Sequence, residues 1–103
     1  MIIPLPHVLL FSLALFGIGA YGVLTRRNII GILILIELML NAAGINLIAF
    51  SKTTALALET GQIFAVFVIA IAAMTATVGL AIVLALYRAR KTVFADEVNL
   101  LKW

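Results

Sequence analysis

An all-α integral membrane fold with three transmembrane helices is predicted by two observations. The 103-residue chain is 66% hydrophobic and only 11% charged, with a mean hydropathy of +1.32, far outside the composition of soluble domains. Its charges also leave three long stretches almost empty, each close to or beyond the about 20 residues that a helix needs to cross a bilayer. A soluble domain of this size has too little interior to bury three such stretches.

The first span runs from about His7 to Leu24 and holds no acid or base. Pro4 and Pro6 stand at its start, where proline suits a helix, rather than in its interior. No Lys or Arg precedes this span and further spans follow closely, so it reads as a retained helix, not a signal peptide. The second span, about Asn28 to Ser51, carries Glu37 as its only charge. The third, about Gly61 to Tyr87, carries none and is long enough to tilt or protrude. Residues 1–103 therefore read as a single three-helix unit, with a tail over 88–103 and no repeat or second domain.

Charge sets the expected orientation. Arg26 and Arg27 lie between the first two spans, and Arg88, Arg90, Lys91 and Lys102 follow the third; the segment from Lys52 to Thr60 has one Lys, and the amino terminus none. The positive-inside rule then puts the amino terminus outside and the tail on the cytoplasmic side. The short Thr25–Asn28 turn makes the first two helices antiparallel neighbours. The basic residues sit at helix ends and not in an aromatic-laced patch, which argues against nucleic-acid binding. With no cysteine in the chain, a disulfide framework, an iron–sulfur site and a thiolate metal site are excluded from it.

Small residues mark packing faces. Gly17, Gly19 and Gly22 lighten the first span, and Ala72 with Ala76, Thr75 with Gly79 and Ala81 with Ala85 stand four apart on the third, a spacing that lets helix backbones approach closely. Three helices have too little interior to shield a carboxylate from lipid on every side, so partner chains are expected.

Glu37 carries the functional reading. It falls nine residues after Asn28, about 13 Å along the helix and beyond the reach of snorkelling. A charge at that depth costs about 2.5–3.5 kcal/mol on insertion scales, so the acid is favoured in its protonated form and becomes a proton carrier. Asn41, one turn on, shares its face as a hydrogen-bond support, and Gly44 leaves room there for a neighbour or water. Asn46 points largely to the opposite side. Thr75 and Thr77 suit bonding back to their own helix carbonyls, and His7 reads as an interfacial residue. Arg26 and Arg27 are explained by topology, with pairing to a partner's carboxylates as the other use. The tail places Phe94, Val98 and Leu101 on one helical edge, opposite neighbours such as Asp96 and Lys102, which fits either docking on a neighbouring subunit or lying in the membrane interface.

The runs Leu15-Phe16-Gly17, Tyr21-Gly22-Val23, Arg26-Arg27-Asn28-Ile29, Ile36-Glu37-Leu38-Met39-Leu40-Asn41-Ala42, Gly61-Gln62-Ile63-Phe64 and Gly79-Leu80-Ala81-Ile82 resemble the smallest three-helix membrane subunit of respiratory complex I and related NAD(P)H- or ferredoxin-quinone oxidoreductases, the 4L or K type. The ending Asn99-Leu100-Leu101-Lys102-Trp103 is similar to cyanobacterial and plastid-type members, which would use plastoquinone. The resemblance implies a part in redox-driven proton pumping, as a non-redox subunit of a large hetero-oligomeric translocase in an energy-coupling membrane, bacterial cytoplasmic or thylakoid. NAD(P)H or ferredoxin, iron–sulfur clusters and quinone would then belong to partner subunits, with no cofactor or metal in this chain.

The family's second-helix glutamate maps onto Glu37, the expected relay. Its usual third-helix glutamate, four residues before the glycine of Gly79-Leu80-Ala81-Ile82, is replaced here by Thr75, which can hold a water but cannot store a charge. Two alternatives stand beside this reading. One is a small subunit of a multisubunit cation/proton antiporter or membrane-bound hydrogenase, and the other is a purely structural assembly subunit.

Overall fold

The computed structural model describes residues 3–53, 58–91 and 93–97. Three helices dominate them: α1 (Leu5–Thr25), α2 (Ile29–Thr53) and α3 (Leu58–Arg90), followed by one 3₁₀ turn over Ala95–Glu97. All three are long and apolar enough to cross a membrane. Each outruns the hydropathic stretch that foretold it, because a helix does not stop where the hydrocarbon stops. Pro4 caps α1 and Pro6 sits in its first turn, where the missing N–H costs nothing. At the far end, α3 has Glu59 in its first turn and Arg88 and Arg90 in its last, each sign matching the helix dipole. With 33 residues, α3 is about 50 Å long, against a hydrocarbon thickness of about 30 Å.

α2 is the middle helix, with α1 and α3 each packed along it. What the packing buries is small: Ser12, Gly19 and Gly22 on α1, Ala42, Gly44, Ala49 and Ser51 on α2, and Ala65, Ala72 and Val83 on α3. Large side chains such as Leu13, Tyr21, Phe64, Phe67 and Ile69 stay exposed. In a bilayer that exposure carries no hydrophobic penalty, and close backbone approach through small residues drives helix association instead.

The glycines show how close that approach is. A Cβ on Gly19 would come 2.6 Å from Met39 Cγ and 2.9 Å from the Leu35 carbonyl oxygen, and one on Gly61 2.1 Å from Ser51 Cβ. Gly17, by contrast, faces open space, and Ala81 and Ala85 are exposed, so these small residues do not serve packing within the chain.

The turn between α1 and α2 is held from several directions. Arg26 leaves the helix in an extended conformation while its N–H still bonds to Gly22 O at 2.9 Å. Asn28 caps α2: its Oδ1 accepts from Ile30 N at 2.9 Å and Gly31 N at 3.3 Å, and its carbonyl takes the first helical bond from Ile32 N. Beyond α3, Lys91 takes a left-handed φ of 56° and turns the chain back, and Phe94 forms an antiparallel bridge with Asn28. The amphipathic helical edge expected to begin at Phe94 is thus not formed over residues 93–97. That stretch is extended and then 3₁₀, because its backbone bonds go to the α1–α2 turn. Val98, Leu101 and Lys102 lie outside the described residues.

Candidate functional site

The two sides of α2 serve different partners. Leu35 and Met39 meet Gly19 and Gly22 of α1, whereas Leu33 meets Gly79, Gly44 meets Val68, and Leu47 with Ser51 meets Gly61 of α3. At 100° per residue Glu37 falls about 40° from Leu33 and about 20° from Gly44, which sets it on the α3-facing stripe. Its side chain is half-buried. One carboxylate oxygen, Oε1, is sealed from solvent and has no hydrogen-bond partner.

The register between α2 and α3 fixes what lies level with this acid. From Leu33 to Gly44 is eleven residues, matched by eleven back from Gly79 to Val68; from Gly44 to Ser51 is seven, matched by seven back from Val68 to Gly61. Glu37 stands four after Leu33, so Thr75, four before Gly79, shares its depth. The two are not bonded. Thr75 is exposed at the edge of the α2-facing side of α3, about 60° from the buried Ala72 but about 40° from Gly79 and about 20° from Val68. The α3 residues facing α2 near this level are Ala72 and Ala76, which supply no polar group. Thr77 bonds back to Ala73 O at 2.8 Å, as expected of a membrane threonine.

Asn41 also departs from the face assigned to it. It is exposed, on the flank of α2 that it shares with the exposed Ile34, and makes no hydrogen bond to Glu37. Four residues advance a helix by about 40° past a full turn. That drift carries Asn41 off the stripe to which Gly44 returns.

A polar pair that the sequence reading passed over lies on the opposite side. Ser12 Oγ of α1 donates to Asn46 Oδ1 of α2, and Ser12 Oγ is also 3.1 Å from the Leu9 carbonyl oxygen. One hydroxyl proton serves one acceptor fully; with the amide turned over, Asn46 Nδ2 donates to Ser12 Oγ while Ser12 donates to Leu9, so the hydroxyl both donates and accepts. The available signal was positional, since folding an antiparallel pair about the Arg26–Asn28 turn brings Ser12 within about a turn of Asn46. The other missed contact is at the end of the bundle that holds the α1–α2 turn. Arg27 Nε donates to Asp96 Oδ2 at 2.9 Å, and the guanidinium lies over the Phe94 ring, 4.6 Å from its centroid. Arg27 therefore finds its carboxylate within the chain.

Glu37 thus combines a place inside an apolar helix, a sealed oxygen without a partner, and a polar-poor neighbourhood within its own chain. A sealed carboxyl oxygen without a partner calls for one from water or another chain. The chain matches the family described as NADH-ubiquinone/plastoquinone oxidoreductase chain 4L over residues 7–103. It belongs to that family. Among the relatives, an NADH-quinone oxidoreductase subunit K from a Geobacillus strain is 56% identical over 100 residues, covering 97% of this chain and 96% of the relative. An NAD(P)H-quinone oxidoreductase subunit 4L from a Nostoc strain is 54% identical over 99 residues, 96% of this chain and 98% of its own. A subunit K 2 from Solibacter usitatus is 60% identical over 97 residues, covering 94% and 93% of the two chains. As a 4L/K-type chain, this is a three-helix subunit whose relatives are named as parts of multisubunit quinone oxidoreductases.

Proposed function

We propose that this chain is a membrane-arm subunit of a proton-pumping, complex I-like quinone oxidoreductase, with Glu37 as a protonatable relay that helps couple quinone reduction to proton movement. The observation that carries the relay is the half-buried Glu37 on the α3-facing side of α2, with Oε1 sealed and unbonded. A scaffold gains nothing from an acid left in that condition, and intramembrane acids kept at such cost mark ion or proton routes.

Within the chain Glu37 holds and releases one proton; Asn41 on the adjoining flank and Thr75 at the same depth are the next polar groups along α2 and α3. Neither stores a charge, so the carboxylate or water chain that takes the proton onward belongs to neighbouring subunits. Electron donors, iron–sulfur clusters and quinone likewise belong to partners. The turn at Arg26–Asn28 and the tail meet at one end of the bundle, and the arginines there support a cytoplasmic position for that end. The membrane is an energy-coupling one. Family membership favours the oxidoreductase over an antiporter or hydrogenase subunit.

The test is Glu37→Gln in the assembled complex, with companions identified after extraction in mild detergent. Recovery of quinone-binding and iron–sulfur subunits together with weakened coupled turnover supports the proposal. Normal pumping from a fully assembled variant would mean a structural subunit, and recovery of antiporter subunits alone would sink the oxidoreductase reading.

A further inference from the structure

The directional contacts that tie the three helices together are few and uneven. Among the described residues, the side-chain hydrogen bond between α1 and α2 is Ser12 with Asn46, and no side-chain hydrogen bond joins α2 to α3 directly. Their interface sets Leu33 against Gly79 and Leu47 with Ser51 against Gly61, contacts of packing without the direction of a hydrogen bond. One turn of slippage, about 5.4 Å, would carry Glu37 to a different level of α3.

Among the described residues, the polar contacts linking the end of α3 to the start of α2 are those of the clasp formed by residues 93–96. Ile29 N donates to Val93 O and Ala95 N to Arg27 O, both at 2.7 Å. These two bonds flank the Asn28–Phe94 pair, making it a non-hydrogen-bonded antiparallel pair, the type with the closer Cα approach. Arg27 adds the 2.9 Å ion pair to Asp96 and the stack on Phe94. The same Asn28 caps α2 through Ile30 and Gly31. On the other side the clasp is tied to α3 by the short left-handed turn at Lys91, whose N–H bonds to Tyr87 O at 2.7 Å.

We propose that residues 93–96 are a register pin: by fastening the end of α3 to the residue that caps α2, with Arg27, Phe94 and Asp96 as positioning residues, they hold Glu37 at its level on α3. This deepens the relay reading and rests on it for its functional consequence; the clasp itself does not. Arg27 and Asp96 are each more than half exposed, at 57% and 58%, so the ion pair alone is weak. The pin gains its strength from the backbone bonds, the stack and the ion pair acting on one short segment.

With no cysteine in the chain, a disulfide formed within it in the assembled complex reports an introduced pair. Asn28→Cys with Phe94→Cys should cross-link on mild oxidation, since such pairs have Cα separations of about 4.5 Å; failure to cross-link overturns the clasp. Leu33→Cys with Gly79→Cys reports the register. Reversing one charge, Arg27→Asp or Asp96→Arg, should lower the register cross-link and coupled turnover together, by roughly twofold to fivefold, and the reciprocal double variant should restore both. Unchanged cross-linking in the single reversals, or no rescue in the double, overturns the pin. If cross-links respond as expected while Glu37→Gln pumps normally, the pin stands and the relay falls.

Discussion

Glu37 of α2 and Thr75 of α3 lie at one depth along the α2–α3 seam, the acid half-buried and the hydroxyl exposed at the edge of that seam. That relationship shows what becomes of the acid–acid arrangement expected of the family. The position is present at the right height, but its side chain cannot titrate.

Thr75→Glu should therefore alter the pH dependence of coupled turnover. A second carboxyl level with Glu37 gives two acids that resist being charged together and titrate as a pair. A pH profile superimposable on that of the parent would take position 75 off the proton route.

The Ser12–Asn46 pair should contribute to the docking of α1. Ser12→Ala leaves the Asn46 amide without its partner, and interhelical hydrogen bonds in membranes are worth about 0.6 kcal/mol on average and about 1.7 at most. Removing both groups, Ser12→Ala with Asn46→Leu, should cost less than the two single changes added together. Strict additivity of the losses, measured by unfolding in detergent or by complex yield, would show that the two groups do not interact.

Glycine substitutions should sort by what a Cβ meets. Gly61→Ala places a methyl 2.1 Å from Ser51 Cβ and 3.0 Å from the Leu47 carbonyl, so the α2–α3 approach must open and complex yield should fall. Gly17→Ala meets nothing within 4 Å and should be neutral or stabilising by up to about 1 kcal/mol through helix propensity, provided no partner subunit lies against it. Equal yields for the two variants would contradict the observed packing.

Much of this was legible in the sequence, for a physical reason: hydropathy reports the membrane, so three spans, their order and the antiparallel first pair can be read from apolar runs and one four-residue turn. Helix ends were less legible, because hydropathy marks where lipid stops and not where Leu58 or Arg90 ceases to be helical. The depth of Glu37 followed from counting. Its surroundings did not, since Asn41 and Gly44 are both near neighbours on a helical wheel and only packing against α3 decides which one shares its face. The clasp was hidden most thoroughly. Arg27 and Asp96 are 69 positions apart, and a two-residue bridge leaves no periodic trace, whereas Phe94, Val98 and Leu101 do mimic a helical edge.

The central claim is that Glu37 gains and loses a proton during turnover, and redox-induced infrared difference spectroscopy of the complex reads this directly. A carbonyl band from a protonated carboxyl should change on quinone reduction in the parent and be missing from the Glu37→Gln complex. The same band, undiminished in the variant, would contradict a relay through Glu37.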